Sequence, residues 1–91
     1  MKKERRKALS EAIGKLEEAK SAIEEAKSTV ESCKDEEEEC YDNLPESMQA
    51  GERGDVMSEN VDSLDEALSN IEDMPDTIDE AINSIQEAID R

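Results

Sequence analysis

Two rows of residues repeat every seven positions in the first half of the chain. The first row consists of large aliphatic side chains: Leu9, Leu16, Ile23 and Val30. The second row, three positions later, consists of small side chains: Ala12, Ala19, Ala26, Cys33 and Cys40. Such paired rows are typical of a coiled-coil helix, and no period of two supports a strand. The pattern predicts one helix over about residues 3–42, with both rows facing a second helix.

The second half of the chain carries a wider apolar stripe. Its two main rows are Met57, Leu64, Ile71, Ile78 and Ile85, and Val61, Leu68, Pro75, Ile82 and Ile89. A flanking row consists of Ala67, Met74, Ala81 and Ala88. We predict a second helix over about residues 55–90. Because proline removes a backbone hydrogen-bond donor, a kink is expected at residues 73–76, or a brief break after which Asp73 caps the restarted helix.

Residues 43–54 separate the two predicted helices and carry turn signals. Pro45 disfavours helical backbone at Leu44, so the first helix is expected to end just before it. Asn43 is suited to cap a new turn, and Gly51 and Gly54 loosen the segment that follows. We predict a turn that contains one short helical piece.

The two helices match in length, at roughly 60 Å each for a rise of about 1.5 Å per residue. The predicted fold class is all-α: a long antiparallel, coiled-coil-like helical hairpin in a single domain of residues 1–91. A lone hairpin with so few large apolar residues would be marginally stable, so we expect a homodimer that forms a four-helix bundle. The residues expected in the intramolecular and dimer seam are Leu9, Leu16, Ile23, Val30, Cys33, Leu64, Leu68, Ile71, Ile78, Ile82, Ile85 and Ile89.

Charge is the dominant feature of the composition. The chain holds 27 acidic and 11 basic side chains, no histidine, and a formal net charge of −16. Residues 1–20 sum to +3 and residues 21–91 to −19. An antiparallel hairpin would place the basic start beside the acidic end of the second helix, where cations also complement the helix dipole.

Several classes of protein are disfavoured by the composition. No apolar run approaches the ~20 residues that cross a bilayer, and no apolar region follows the basic start, so we expect a cytoplasmic protein without membrane contact. The absence of histidine and of a glycine-rich phosphate loop predicts no catalytic residue, no metal site and no cofactor. Cys33 and Cys40 are expected to be reduced seam residues, too far apart for a bond within the chain, with an inter-chain disulfide left open.

The central segment carries a distinctive motif. It reads Glu39-Cys40-Tyr41-Asp42-Asn43-Leu44-Pro45-Glu46-Ser47-Met48-Gln49, followed by Glu52-Arg53-Gly54 and Met57. The motif resembles that of a family of short, acidic, helical proteins encoded by phages and prophage-like elements of Gram-positive bacteria. The resemblance covers most of the chain, although only this segment is distinctive, and it implies no activity or functional residue. It does imply a small protein that binds and blocks, or decoys, a host factor.

The favoured hypothesis is a non-enzymatic protein that binds a basic host or phage protein through an acidic helical surface. Two copies would carry −32, about one charge per 1.9 Å of a 60 Å rod, against about one per 1.7 Å in duplex DNA, so nucleic-acid mimicry is one form of it. The alternative is a purely structural, oligomerising coiled coil. Direct nucleic-acid binding by the basic start is disfavoured by the −19 of the remaining chain.

Seven residues near the turn are the candidate partner contacts: Asp35, Glu36, Glu38, Glu39, Tyr41, Gln49 and Arg53. Each has a local alternative, since a run of acids is usually a solvated face, Tyr41 is placed to cover the turn, and Arg53 is close in sequence to Glu46 and Asp42. Glu37 falls in the first apolar row. It either marks a local opening of the seam or sets the register through Lys34 or Arg53.

Overall fold

The computed structural model describes all 91 residues, of which about 90% are helical and none forms a strand. The all-α class predicted from the sequence is therefore confirmed. The four helices are α1 (Lys3–Asp42), α2 (Glu46–Gln49), α3 (Glu52–Glu72) and α4 (Met74–Asp90). None of them combines the length and the apolar character that crossing a bilayer requires.

The chain divides into two compact units. The terminal unit consists of Met1–Glu25 and Asp73–Arg91, and the turn unit consists of Ala26–Glu72. Helix α1 therefore contributes residues to both units, whereas α2 and α3 belong to the turn unit and α4 to the terminal unit. The prediction of a single domain with a dimeric four-helix bundle stays a prediction.

The turn unit is an antiparallel helical hairpin. Lys34 on α1 lies 2.6 Å from Asp65 on α3, and Glu37, three residues later on α1, contacts Asn60, five residues earlier on α3. The partner's number falls as the number on α1 rises, which defines the opposite direction of the two helices. Helix α3 begins at Glu52, three residues before the start that the apolar rows predict.

The large apolar row of α1 is half-buried along its length, at Leu9, Leu16, Ile23 and Val30. On α3 and α4, the main-row positions are also half-buried: Met57, Val61, Leu64, Leu68, Ile71, Pro75, Ile78, Ile82, Ile85 and Ile89. No hydrophobic side chain is fully buried, and Gly54 is the single buried residue. The helices are thus joined by rows of partly covered side chains rather than by a closed core.

The small row of α1 differs from the expectation. Ala26, Cys33 and Cys40 are exposed, and the half-buried positions one residue further on are Lys27, Lys34 and Tyr41. The large row keeps its period of seven on the contact face, and so does the row of Lys20, Lys27, Lys34 and Tyr41. Beyond Ala19 these longer side chains cover the face in place of the small row. The predicted placement of Cys33 in the intramolecular seam was wrong, because Cys33 lies beside this face and is exposed.

The break between α3 and α4 is one residue long. Helix α3 ends at Glu72, α4 begins at Met74, and Pro75 lies within the first turn of α4, where its missing N–H is tolerated. Asp73 occupies the cap position but its side chain makes no capping hydrogen bond. The Thr77 N–H and hydroxyl instead donate to the Asp73 carbonyl oxygen, each at 3.3 Å.

The turn closes through a close approach of backbone to backbone. Pro45 directs the chain into α2, with its carbonyl accepting the Met48 N–H at 2.8 Å. Gly54 then packs against the Gln49 peptide so closely that a Cβ atom built at Gly54 would overlap the Gln49 carbonyl. Only glycine fits at this position without moving the α2 backbone.

The Gly54→Ala variant is expected to be less stable than the wild type by about 1–3 kcal/mol, because the added methyl must displace backbone rather than a flexible side chain. The matched control is Gly14→Ala on α1, where nothing lies within 4 Å of the new Cβ. That substitution should add about 0.5–1 kcal/mol of stability through helix propensity. Urea unfolding followed by far-ultraviolet circular dichroism measures both, and equal effects of the two substitutions would contradict the close packing at Gly54.

Candidate functional site

Acidic charge is concentrated in the turn unit. This unit holds 15 acidic and three basic side chains, a formal net charge of −12, whereas the terminal unit holds 12 acidic and eight basic side chains, net −4. Thirteen of the 15 acidic residues of the turn unit are exposed. The candidate site is therefore the surface of the turn unit, which we call the acidic surface.

The acidic run on α1 is divided by the helical twist. Asp35, Glu36 and Glu39 are exposed, while Glu37 and Glu38 are half-buried toward α3. Successive residues point about 100° apart, so the run cannot converge on one point. No group of three or more cysteine, aspartate or glutamate side chains in the chain is placed to hold a metal ion.

Lys34 connects the two helices of the turn unit. Its Nζ atom lies 2.6 Å from an oxygen of Asp65 on α3 and 3.6 Å from an oxygen of Glu38 on α1. The hydrogen bond to Asp65 is the largest effect and raises the pKa of Lys34 above its usual 10.5. Desolvation opposes this rise, and the charges of Asp65 and Glu38 add to it. Glu38, a candidate partner contact, is thus engaged within the chain.

The terminal unit repeats this arrangement. Lys20 Nζ lies 2.5 Å from an oxygen of Asp79 on α4, and this hydrogen bond raises the pKa of Lys20. In both units the aliphatic stem of a half-buried lysine lies on the contact face while its ammonium group reaches a carboxylate of the neighbouring helix. Exposed pairs of this kind contribute little stability singly.

Glu37 is held by a residue that the sequence interpretation did not consider. Its carboxylate accepts a hydrogen bond of 3.1 Å from the side-chain amide of Asn60 on α3. The expected partners, Lys34 and Arg53, do not fill this role. This hydrogen bond joins the side chains of α1 and α3 at the surface.

The three polar candidates at the turn have different roles. The Gln49 side chain donates a 3.0 Å hydrogen bond to the Tyr41 carbonyl, which ties α2 to the end of α1. Tyr41 itself is half-buried. Arg53 is exposed and pairs with neither Glu46 nor Asp42, so the local pairing considered from the sequence is not formed. Of the three, Arg53 alone keeps all its donors available to a partner.

Two depressions lie between α1 and α3. The smaller, of about 160 Å³, is lined by Glu38, Tyr41, Asp42, Ser58 and Val61. The larger, which we call the valine groove, has a volume of about 490 Å³ and is lined by Glu37, Glu52, Arg53, Val56, Met57 and Asn60. Val56 is 50% exposed there. The sequence pattern did not single out Val56, because this residue lies outside both apolar rows. A large aliphatic residue next to a row, with no similar residue seven positions away, is the signal that could have identified it.

Comparisons with family models, with curated proteins and with solved structures found no match for this chain. The resemblance to a phage-encoded family therefore stays a prediction.

The lysine pairs generate a pH dependence of stability. Because pairing raises the pKa of Lys20 and Lys34 above 10.5 in the folded state, their contribution is fully present below that value and is lost as the pH rises through the folded-state pKa. The Lys20→Met/Lys34→Met variant should have a lower urea midpoint than the wild type at neutral pH, and the difference should shrink above about pH 10.5.

Comparison of the two proteins at each pH removes the effects of every group that both retain. Lys15→Met is the control, since Lys15 is exposed and outside the ion pairs. A midpoint difference that persists unchanged to about pH 12 would show that the ammonium groups do not join the helices.

Proposed function

We propose that this protein is a non-enzymatic, acidic, helical interaction protein that binds a basic host or phage protein through the acidic surface of the turn unit. The proposal rests on one observation: a net charge of −12 in 47 residues, with 13 of 15 acidic side chains exposed. Self-repulsion of that magnitude opposes folding, so such a density calls for a reason beyond solubility. The resemblance to phage proteins favours a host factor as the partner.

Nucleic-acid mimicry is the specific form of this function that the charge density supports. Helix α3 has 21 residues and is about 32 Å long, a length over which duplex DNA carries about 19 charges. The turn unit, with −12, reaches about two-thirds of that density. A basic groove that accepts a phosphate backbone would therefore attract this surface through the same long-range field.

Poly-L-lysine of about 20 residues should bind the wild type at low salt and dissociate as the salt concentration rises, because the interaction is largely one of screened charges. The variant Asp35→Asn/Glu36→Gln/Glu39→Gln should bind about three- to tenfold more weakly and with a shallower dependence on salt. Fluorescence anisotropy at about 50 and 300 mM salt measures both effects.

The control removes the same number of charges from the terminal unit, as Glu11→Gln/Glu17→Gln/Glu18→Gln. Equal weakening by the two triple variants would argue against a site in the turn unit. Mimicry requires in addition that the wild type displace duplex DNA from a sequence-independent DNA-binding protein, and failure to do so leaves only the more general binding function.

A structural, oligomerising role is the second candidate, and one observation favours it. No hydrophobic side chain of the single chain is fully buried, and Met74 and Ala81 of the flanking row are exposed. Two copies that pack through this row would cover side chains that one copy leaves in water. We infer a homodimer as the state in which either function operates.

Sedimentation equilibrium should give the mass of a dimer at micromolar concentrations of the wild type. Ala81→Glu places a charge in the flanking row and should raise the dissociation constant at least about tenfold, since it would bury an unpaired carboxylate. Ala50→Glu, at an exposed position of the turn, is the control and should leave it unchanged. A folded wild-type monomer at these concentrations would contradict the dimer.

A further inference from the structure

The valine groove interrupts the acidic surface with an apolar floor. Val56 is half exposed and Met57 lies beside it, half-buried. Its volume of about 490 Å³ is that of an open depression at the surface, which can seat one large side chain. A pure charge mimic has no use for such a floor, because uniform carboxylates would serve a phosphate-binding groove better.

Charged side chains of α1 and α3 line the valine groove. On one side stands the Glu37 carboxylate, held by Asn60 at 3.1 Å. On the other side are Glu52 and Arg53 in the first turn of α3, both exposed. Arg53, Val56 and Asn60 follow one another at intervals of three and four residues and so lie along one face of α3. A ligand seated on Val56 is therefore flanked by carboxylates, with one guanidinium free to bind a carbonyl or carboxylate.

We propose that the valine groove binds a basic peptide segment of the partner by one large aliphatic side chain, with lysine or arginine residues on either side of it. Charge complementarity with the net −12 of the turn unit selects a cationic segment. Nucleic acid is repelled by the same field, and so is the equivalent surface of a second copy. The apolar floor selects an aliphatic side chain, which the flexible Met57 can accommodate.

This inference rests on the proposed function, because it assigns the contact site and partner chemistry of the same surface. The test uses two nine-residue peptides with four lysines on each side of a central residue, which is leucine in one peptide and serine in the other. Their equal charge separates the aliphatic contact from general attraction. The wild-type protein should bind the leucine peptide about tenfold more tightly, as expected for one partly buried leucine side chain.

Val56→Ser should reduce this preference to about twofold or less, with little change in the binding of the serine peptide. Met48→Ser is the matched control, since it removes another exposed apolar side chain, 40% exposed, that does not line the groove, at no change in charge. This variant should keep the tenfold preference. Val56→Ala serves as a second variant with higher helix propensity, and circular dichroism verifies that each variant is folded.

The outcomes separate the two proposals. If the wild type binds both peptides equally, the groove inference is overturned while the acidic-surface function stands. If neither peptide binds at low salt, the proposed function itself fails. A tenfold preference that survives in Val56→Ser and Val56→Ala, or that is lost equally in Met48→Ser, places the aliphatic contact elsewhere and overturns the groove. Val56-dependent dimerisation, measured by sedimentation, would also overturn it by assigning the groove to a second copy.

Discussion

The contact face of α1 is the constraint from which most features of this chain follow. Its large apolar row stays half-buried along the helix, whereas the small row is half-buried only as far as Ala19. Lysines flank the large row at Lys20, Lys27 and Lys34, together with Tyr41 near the turn. These side chains cover the contact face with aliphatic stems and carry their charges to its edge. Such a helix pair is held by apolar contacts and by two ion pairs between helices, Lys20–Asp79 and Lys34–Asp65.

This construction leaves the chain without a closed core. Half-buried rows of leucine, isoleucine and valine give only part of the free energy that full burial provides, and exposed ion pairs add little to it. Two features of the surface therefore occur together: partly covered apolar rows and a net charge of −16.

The sequence predicted where the helices begin and end better than it predicted which side chains lie between them. Pro45 and the end of the apolar rows at Asp42 locate the end of α1, and Pro75 locates the break between α3 and α4, because proline acts on the backbone locally. The predicted position of Cys33 depended on the assumption that the small row lies in the seam along all of α1, whereas the half-buried face beyond Ala19 includes Lys27, Lys34 and Tyr41 instead. Asn60 as the partner of Glu37, and Gly54 against Gln49, depend on contacts between distant segments that no periodicity encodes.

Tyr41 is the sole aromatic residue of the chain, and it lies in the turn unit. Its near-ultraviolet absorbance and its emission therefore describe that unit alone, whereas far-ultraviolet ellipticity sums over the helices of both. A denaturation followed with the two signals compares part of the molecule with the whole. Coincident transitions would mean that the units melt as one cooperative body, and separated transitions would give the order in which the two halves of α1 lose their structure.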